Sequence, residues 1–213
     1  MIIAIDGPAG SGKSTIAKLL AEKLNFTYIN TGAMYRAVTL FVIKNNLLDK
    51  LKKDEIKIAD ILKDINIEMD KDKIFLNGID VSIAIRNEDV TKEVSYISSI
   101  SDVRKFLVEL QRSIGKKQDS ILEGRDIGTN VFPDAEFKFF LNANVNERAK
   151  RRWLQEGQDK TYEYIVDDIK RRDIYDSTRK ENPLKKAEDA IEIDTTGYTI
   201  EEVLDKILKI VKR

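Results

Sequence analysis

Cysteine and histidine are both absent from this 213-residue chain, and proline occurs only three times. The missing cysteine rules out disulfides and thiolate metal sites, and is neutral to mildly favourable for a reducing compartment. The missing histidine removes the usual general base near neutral pH, so any proton transfer falls to carboxylates or to the substrates themselves. There is no excess of charge of one sign either: 37 Lys and Arg balance 37 Asp and Glu. The chain therefore carries no global footprint for nucleic acid or an anionic membrane, and any basic site must be local. No apolar run approaches the roughly 20 residues that span a bilayer, and the N-terminus lacks a basic stretch ahead of a signal-type apolar core. A cytoplasmic protein is the expectation.

What is present has a rhythm. Strand-like runs at Ile2–Asp6, Thr27–Asn30, Ser120–Glu123, Phe137–Leu141 and Ala190–Asp194 are separated by helical patterns. The helical patterns lie at Lys13–Leu24, Ala33–Asn46, Asp102–Lys116, Asn146–Gln155, Thr161–Ser177 and Thr199–Lys212. This alternation predicts an α/β fold, a mostly parallel sheet covered by helices. The length fits one domain over residues 1–213 with small insertions. One segment breaks the pattern: "INIEMDKDKIFLNGIDVSIAIR" alternates apolar and polar residues around two turn signals, of which Asn77-Gly78 is a strong hairpin signal. A small antiparallel β lobe is expected there, over about 62–90. A second irregular segment, "RAKRRWLQEGQDKTYEYIVDDIKRRDIYDSTRK", mixes arginines with acids and aromatics. By charge alternation it reads as a solvated helix pair.

The stretch "GPAGSGKST" follows the first strand and opens the first helix. Gly7, Pro8, Ala9, Gly10, Ser11, Gly12, Lys13, Ser14 and Thr15 match the phosphate-binding loop pattern in its required strand–loop–helix context. Backbone N–H groups converge on phosphate, the helix N-terminus adds positive potential, Lys13 reaches the β and γ oxygens, and the Ser14 hydroxyl can ligate Mg²⁺. The motif points to a nucleoside triphosphate and leaves the second molecule open.

Three further stretches bear on that second molecule. In "NTGAMYRA", Thr31 can cap a helix or, with Arg36, lie at the carboxyl edge of a parallel sheet where α/β folds bind ligands. In "ILEGRDIGTNVFPDA", Glu123 ends a strand where a Mg²⁺-bound water is often held. Its neighbours Arg125 and Asp126 suit either a turn-stabilising ion pair or a reader of cytosine, whose N4 amino group needs an acceptor beside donors for N3 and O2. In "RRDIYDSTR", Arg172, Asp176 and Arg179 share a helix face, as a salt bridge or as an acid between two phosphate-binding arginines.

Taken together and in order, "GPAGSGKST", "NTGAMYR", "EGRDIGT" with "FPDA", and "RRDIYDSTR" resemble the bacterial cytidylate kinases, a branch of the nucleoside monophosphate kinases. The resemblance runs from residue 2 to the chain's end. It implies a P-loop NTPase fold of three αβα layers with a parallel central sheet. The β lobe would be the monophosphate-binding insertion, and about 146–178 a helical lid. It also implies that Thr31, Arg36, Ser95, Arg104, Arg125, Asp126, Arg172, Asp176 and Arg179 line a CMP site. In that comparison Ser95, Arg104 and Asp126 read the base, Arg36 and Arg125 address the phosphate, and Asp176 holds a sugar hydroxyl. Two positions depart from the family's usual form: Asn30 stands where an acid is common, and Glu123 replaces an aspartate.

The expected reaction is transfer of the γ-phosphoryl group of ATP to CMP or dCMP with Mg²⁺. ATP and the monophosphate are the expected partners, with neither nucleic acid nor membrane, and the protein is expected to be a monomer. The acceptor is already an anion near neutral pH, which agrees with a chain that has no histidine. Lys13, Arg125, Arg148, Arg151, Arg152 and Arg179 are the candidates for neutralising the transferring group. Rival readings are a kinase for shikimate or another nucleotide, and a regulatory nucleotide switch. A switch calls for a guanine-reading "NKxD"-type motif, which the sequence lacks.

Overall fold

The structure, a computed structural model, describes residues 1–155 and 157–212. Along the chain run β1 (Ile2–Asp6), α1 (Lys13–Leu24), β2 (Thr27–Asn30), α2 (Thr31–Lys44), α3 (Leu48–Lys52), α4 (Ile58–Leu62), β3 (Ile67–Asp70), β4 (Lys73–Leu76) and β5 (Ile79–Asp80). There follow α5 (Glu88–Ser99), α6 (Ser101–Gly115), β6 (Ser120–Gly124), β7 (Phe137–Asn142), α7 (Val145–Gln155), α8 (Tyr162–Thr178), β8 (Ile191–Asp194) and α9 (Ile200–Val211). Five strands form a central sheet in the order β2-β6-β1-β7-β8, and β3-β4-β5 form a separate small sheet. The expected α/β class, with a parallel central sheet and a small antiparallel one, is what the structure has. Among the described residues no helix is long and apolar enough to cross a membrane.

The chain divides into two compact units, one of Met1–Tyr28 with Gly115–Arg213 and one of Ile29–Ile114. In the first, β1 lies between β6 and β7 and is parallel to both. Its sequence IIAID is almost wholly apolar because it is covered on both faces, as inner strands of parallel sheets are. Ile3, Ile5, Ile121, Phe139 and Leu141 of the sheet pack with Ile16 and Leu20 of α1 and Val203, Leu204 and Ile207 of α9. The helical hairpin α7–α8 has a small core of its own, Ala149, Ile165 and Ile169, flanked by Trp153 and Tyr162.

In the second unit the small sheet is antiparallel, pairing Asp70 with Lys73 and Leu76 with Ile79. Asn77 and Gly78 both have positive φ, 50° and 79°, as the two-residue turn joining β4 to β5 requires. The alternating pattern overreaches at its end, because Ala84–Arg86 form a 3-10 turn rather than strand. The cause is local: Ile74 N–H donates to Ser82 Oγ, and Ser82 N–H turns back to Asp80 Oδ1, which ends the ladder. Helix α5 is missing from the sequence reading, although Val90, Val94 and Ile97 recur at helical spacing and are buried.

Helix α9 begins with a reciprocal cap: Thr199 accepts the Glu202 N–H while Glu202 accepts the Thr199 N–H. We expect Thr199→Ala to cost about 1 kcal/mol. In urea unfolding this would lower the midpoint with the slope unchanged. An unmoved midpoint would mean that this cap does not hold α9 on the sheet.

Candidate active site

The loop between β1 and α1 is set by its first residue. Gly7 has φ 148°, and a Cβ there would lie 2.0 Å from the Leu141 carbonyl oxygen at the end of β7. No side chain fits. The loop ends at Gly12, which caps α1 without a side-chain hydrogen bond, and the helix has no acid in its first turn. The positive end of α1 is therefore left for an anion. Lys13 is buried, its Nζ donating to the Pro8 carbonyl at 2.6 Å and lying 3.4 Å from Ser11 Oγ.

Burial pushes the Lys13 ammonium down to about 7, helped by the cation of Arg125 and opposed by Glu123 and Asp6. Arg172 is half-buried overall, with Nε inside and making no hydrogen bond among the described residues. Burial and Arg125 together push it down to about 10, so it stays charged at neutral pH. Arg125 thus bears on both Lys13 and Arg172, and Arg172 in turn lowers Lys13. Such a cluster favours an anion that would relieve the repulsion.

The segment after β6 and the end of α8 interlock by exchange. Arg125 Nε donates to Asp176 Oδ2 at 2.9 Å, and Arg179 donates to Asp126 Oδ1 at 3.2 Å. Neither a bridge between neighbours Arg125 and Asp126 nor one along α8 is the dominant arrangement, because each acid takes its arginine from the other segment. Asp126 also accepts from Asn130 Nδ2, and Arg179 donates to the Asn182 carbonyl. Burial by itself raises Asp176, but Arg125 and Arg172 outweigh it and hold its carboxyl below the usual range. Glu123 is buried and accepts from the Tyr28 hydroxyl at 3.0 Å.

The three arginines of α7 point to different partners. Arg148 is buried against Ala9, Ala143 and Asp173. Arg151 donates to Thr195 Oγ1 and the Thr195 carbonyl, at 2.9 and 2.8 Å, and to Glu147. Arg152 pairs with Asp168 of α8 at 2.7 Å. Burial raises Asp168 by itself, but Arg152 and Arg171 prevail and hold it below its ordinary value. A cavity of about 390 Å³ lies beside the loop, lined by residues 10–16 with Arg151, Thr195, Tyr198 and Ile200 among others.

The remaining candidates belong to the second unit. Arg36 donates to the Ile85 carbonyl and to Thr91 Oγ1, at 3.1 and 2.8 Å. Arg104 is buried, donates to the Ser98 carbonyl at 3.2 Å and lies over the Tyr35 ring. Ser95 is half-buried on α5, and Thr31 is buried in the first turn of α2. The cap of α2 is Asn30, not Thr31: its side chain accepts the Ala33 N–H at 2.9 Å. That task needs an oxygen rather than a charge, so an amide serves where an acid is common.

Among the described residues no three His, Cys, Asp or Glu side chains gather to hold a metal. Ser14 is exposed at the start of α1 and Glu123 is near the loop's Lys13, an all-oxygen set too small to bind alone. This fits a Mg²⁺ ion that arrives with phosphate oxygens as its main ligands.

One residue of the site escaped the sequence reading. Asp6 ends β1 and is buried, with Oδ1 accepting the Ile127 N–H and Oδ2 the Gly128 N–H, both at 2.8 Å. It thereby holds the single π-helical turn Ile127–Val131 that follows Arg125 and Asp126. Burial pushes its carboxyl up to about 6 against these two hydrogen bonds. An acid closing an otherwise apolar strand was the available signal.

The family model described as Cytidylate kinase matches residues 3–213. The chain is similar to the cytidylate kinase of Fusobacterium nucleatum, 52% identical over 217 residues that cover 100% of this chain and 98% of that protein. It is similar also to that of Bacillus subtilis, 49% identical and covering 99% of this chain and 96% of that protein. A crystal structure of an uncharacterized protein from Eubacterium ventriosum shares the fold, with a TM-score of 0.57 and 18% identity over 100% of this chain and 98% of that one.

Asp6→Asn presents one acceptor and an amide NH₂ to two backbone N–H groups. We expect a loss of about 1–3 kcal/mol in urea unfolding near pH 7.5, where the wild-type carboxyl is ionised. Stability kept within a few tenths would show that the carboxylate does not hold the turn.

Proposed function

The chain belongs to the cytidylate kinase family, and on that premise we propose that it transfers the γ-phosphoryl group of ATP to CMP or dCMP. The observation that carries this reading is that burial and the Arg125 cation push down both Lys13 and the half-buried Arg172, beside an acid-free helix N-terminus. An oxygen of the acceptor phosphate forms a bond to the γ phosphorus as the bond from that phosphorus to the β–γ bridging oxygen breaks. ADP leaves with that oxygen's charge. The attacking oxygen is already anionic near neutral pH, so no side chain has to take its proton.

Catalysis is then positioning and charge neutralisation. Lys13 and the loop N–H groups hold the β and γ phosphates. Arg125, Arg172 and Arg179 face the acceptor, and Arg151 and Arg152 of the lid, about 146–178, are the further candidates for the transferring group. The cavity beside Thr195 suits the donor's adenine. Ser14, and Glu123 through a water, would help hold Mg²⁺, which supplies charge neutralisation at the donor phosphates. We assign Asp126 to the cytosine amino group and Asp176 to a sugar hydroxyl. From family resemblance we add Ser95 and Arg104 for the base and Thr31 and Arg36 for the phosphate end, with about 62–90 as the monophosphate lobe. We take the enzyme to be a cytoplasmic monomer.

ADP formation with CMP, dCMP, UMP, AMP and shikimate as acceptors tests the reading. CMP and dCMP should be turned over fastest; a clear preference for AMP or shikimate would overturn the acceptor assignment. Asp126→Asn should then shrink the CMP-to-UMP ratio of kcat/KM by roughly ten- to a hundredfold, because an amide offers the base either donor or acceptor and loses the charge-assisted bond. An unchanged ratio would leave Asp126 as a structural partner of Arg179.

The Lys13 ammonium, pushed down to about 7, is mostly neutral at pH 8. Phosphate oxygens favour its charged form, so ATP binding at that pH should take up close to one proton. Calorimetry in two buffers of different ionisation enthalpy reads this directly. Wild type should show the uptake and Lys13→Met should lose it; equal values would mean that Lys13 does not change protonation on binding.

A further inference from the structure

Arg148 belongs to the same basic run as Arg151 and Arg152, yet its surroundings set it apart. It is buried, 6% exposed. Its Nε donates to the Ala143 carbonyl at 2.9 Å, just before α7 begins. One terminal nitrogen donates to the Ala9 carbonyl at 3.0 Å, inside the phosphate-holding loop, and lies 2.7 Å from Asp173 Oδ2 on α8. The next loop residue, Gly10, packs against Arg148 so closely that a Cβ there would lie 3.0 Å from both its Cβ and its carbonyl oxygen. Asp173 directly follows Arg172. Its other oxygen, Oδ1, is buried with no hydrogen-bond partner among the described residues.

We propose that Arg148 is a positioning residue that ties the phosphate-holding loop to α8 through Asp173, and not a cation on the transferring group. The proposal rests on the kinase reading above. The guanidinium presents its donors in a rigid planar fork, so it can serve two backbone carbonyls and a carboxylate at once. A lysine has three donors but all on one nitrogen, so it cannot donate from both the Nε and the terminal positions that these contacts use. The loop's Ala9 carbonyl is thereby fixed relative to the helix that carries Arg172 and Asp176. Breaking the pair leaves the buried Arg148 or the half-buried Asp173 without its partner, so the loop and α8 lose their register together.

The test uses Arg148→Lys, Asp173→Asn and the double variant. Thermal melting establishes folding, and calorimetry gives the affinity for ADP without any acceptor. Steady-state kinetics separates KM for ATP from kcat. A brace predicts that both single variants weaken ADP binding by about tenfold and raise KM for ATP in proportion. It also predicts that the double variant is no worse than the poorer single one. A transition-state cation predicts otherwise: Arg148→Lys would lower kcat by a hundredfold or more with ADP affinity kept, and Asp173→Asn would behave as wild type. Either of those results overturns the proposal. If Arg148→Lys fails to fold, Asp173→Asn decides alone, with unchanged ADP affinity as the refuting outcome. Because ADP binding needs no acceptor, an acceptor panel that fails while wild type binds ADP sinks the CMP assignment and leaves this test standing.

Discussion

The carboxylate of Asp6 accepts the N–H groups of Ile127 and Gly128 from a buried position at the end of the central strand, and much of the site is built around that contact. The same strand end launches the phosphate-holding loop, since Gly7 follows directly and lies against the Leu141 carbonyl. One short stretch of backbone thus joins the donor side of the site to the turn that follows Arg125 and Asp126. Lys138 supports the turn from β7: its stem lies against Gly128, and its ammonium donates to the Pro133 carbonyl and to Asp189. Two charged side chains in otherwise apolar strands therefore do for the turn what a regular ladder would do for a strand.

Charge explains why the rest of the site needs so much bracing. Arg125 bears on both Lys13 and Arg172, and burial raises the cost of those two charges. The fold meets this with acids that are shared across segments, Asp176 with Arg125 and Asp126 with Arg179. A bridge within one helix would fix only that helix. A bridge between segments also fixes the distance between them, so the same carboxylates that offset the repulsion set the geometry of the cations. The compensation is incomplete, which is what makes the site receptive to anions.

The α/β order, the loop and most helix boundaries were legible because each rests on local chemistry. Inner strands are apolar, caps carry Asn or Thr, and the Asn77-Gly78 turn permits positive φ. The second helix starts at Thr31 and not at Ala33 because Asn30 accepts the Ala33 N–H. Helix α5 was lost inside a segment read for its alternation, although its apolar spacing was helical. The segment "RRDIYDSTR" had the right residues and the wrong partners: spacing along α8 suggested pairs within the helix, whereas Asp176 and Arg179 reach to the segment after β6 and Asp173 reaches Arg148 of α7. Pairings of that kind depend on which distant segments the fold brings together, and no local pattern encodes them.

The run "RAKRR" carries the same lesson into mechanism. Positions 148 and 152 are four residues apart and share a helix face, yet one arginine meets loop carbonyls and the other meets Asp168 in the helical hairpin. Between them in sequence, Arg151 lies on another face and reaches Thr195 beside the cavity. Three identical side chains within five residues thus have three surroundings, because α7 passes the phosphate-holding loop at its start and runs along α8 beyond it. An arginine whose donors are taken up by backbone carbonyls and a half-buried carboxylate has little left for a phosphate, whereas one beside a cavity can exchange its present contacts for a ligand's. The assignment of roles follows from what surrounds each guanidinium, and the basic residues nearest in sequence are the ones most easily given the same task in error.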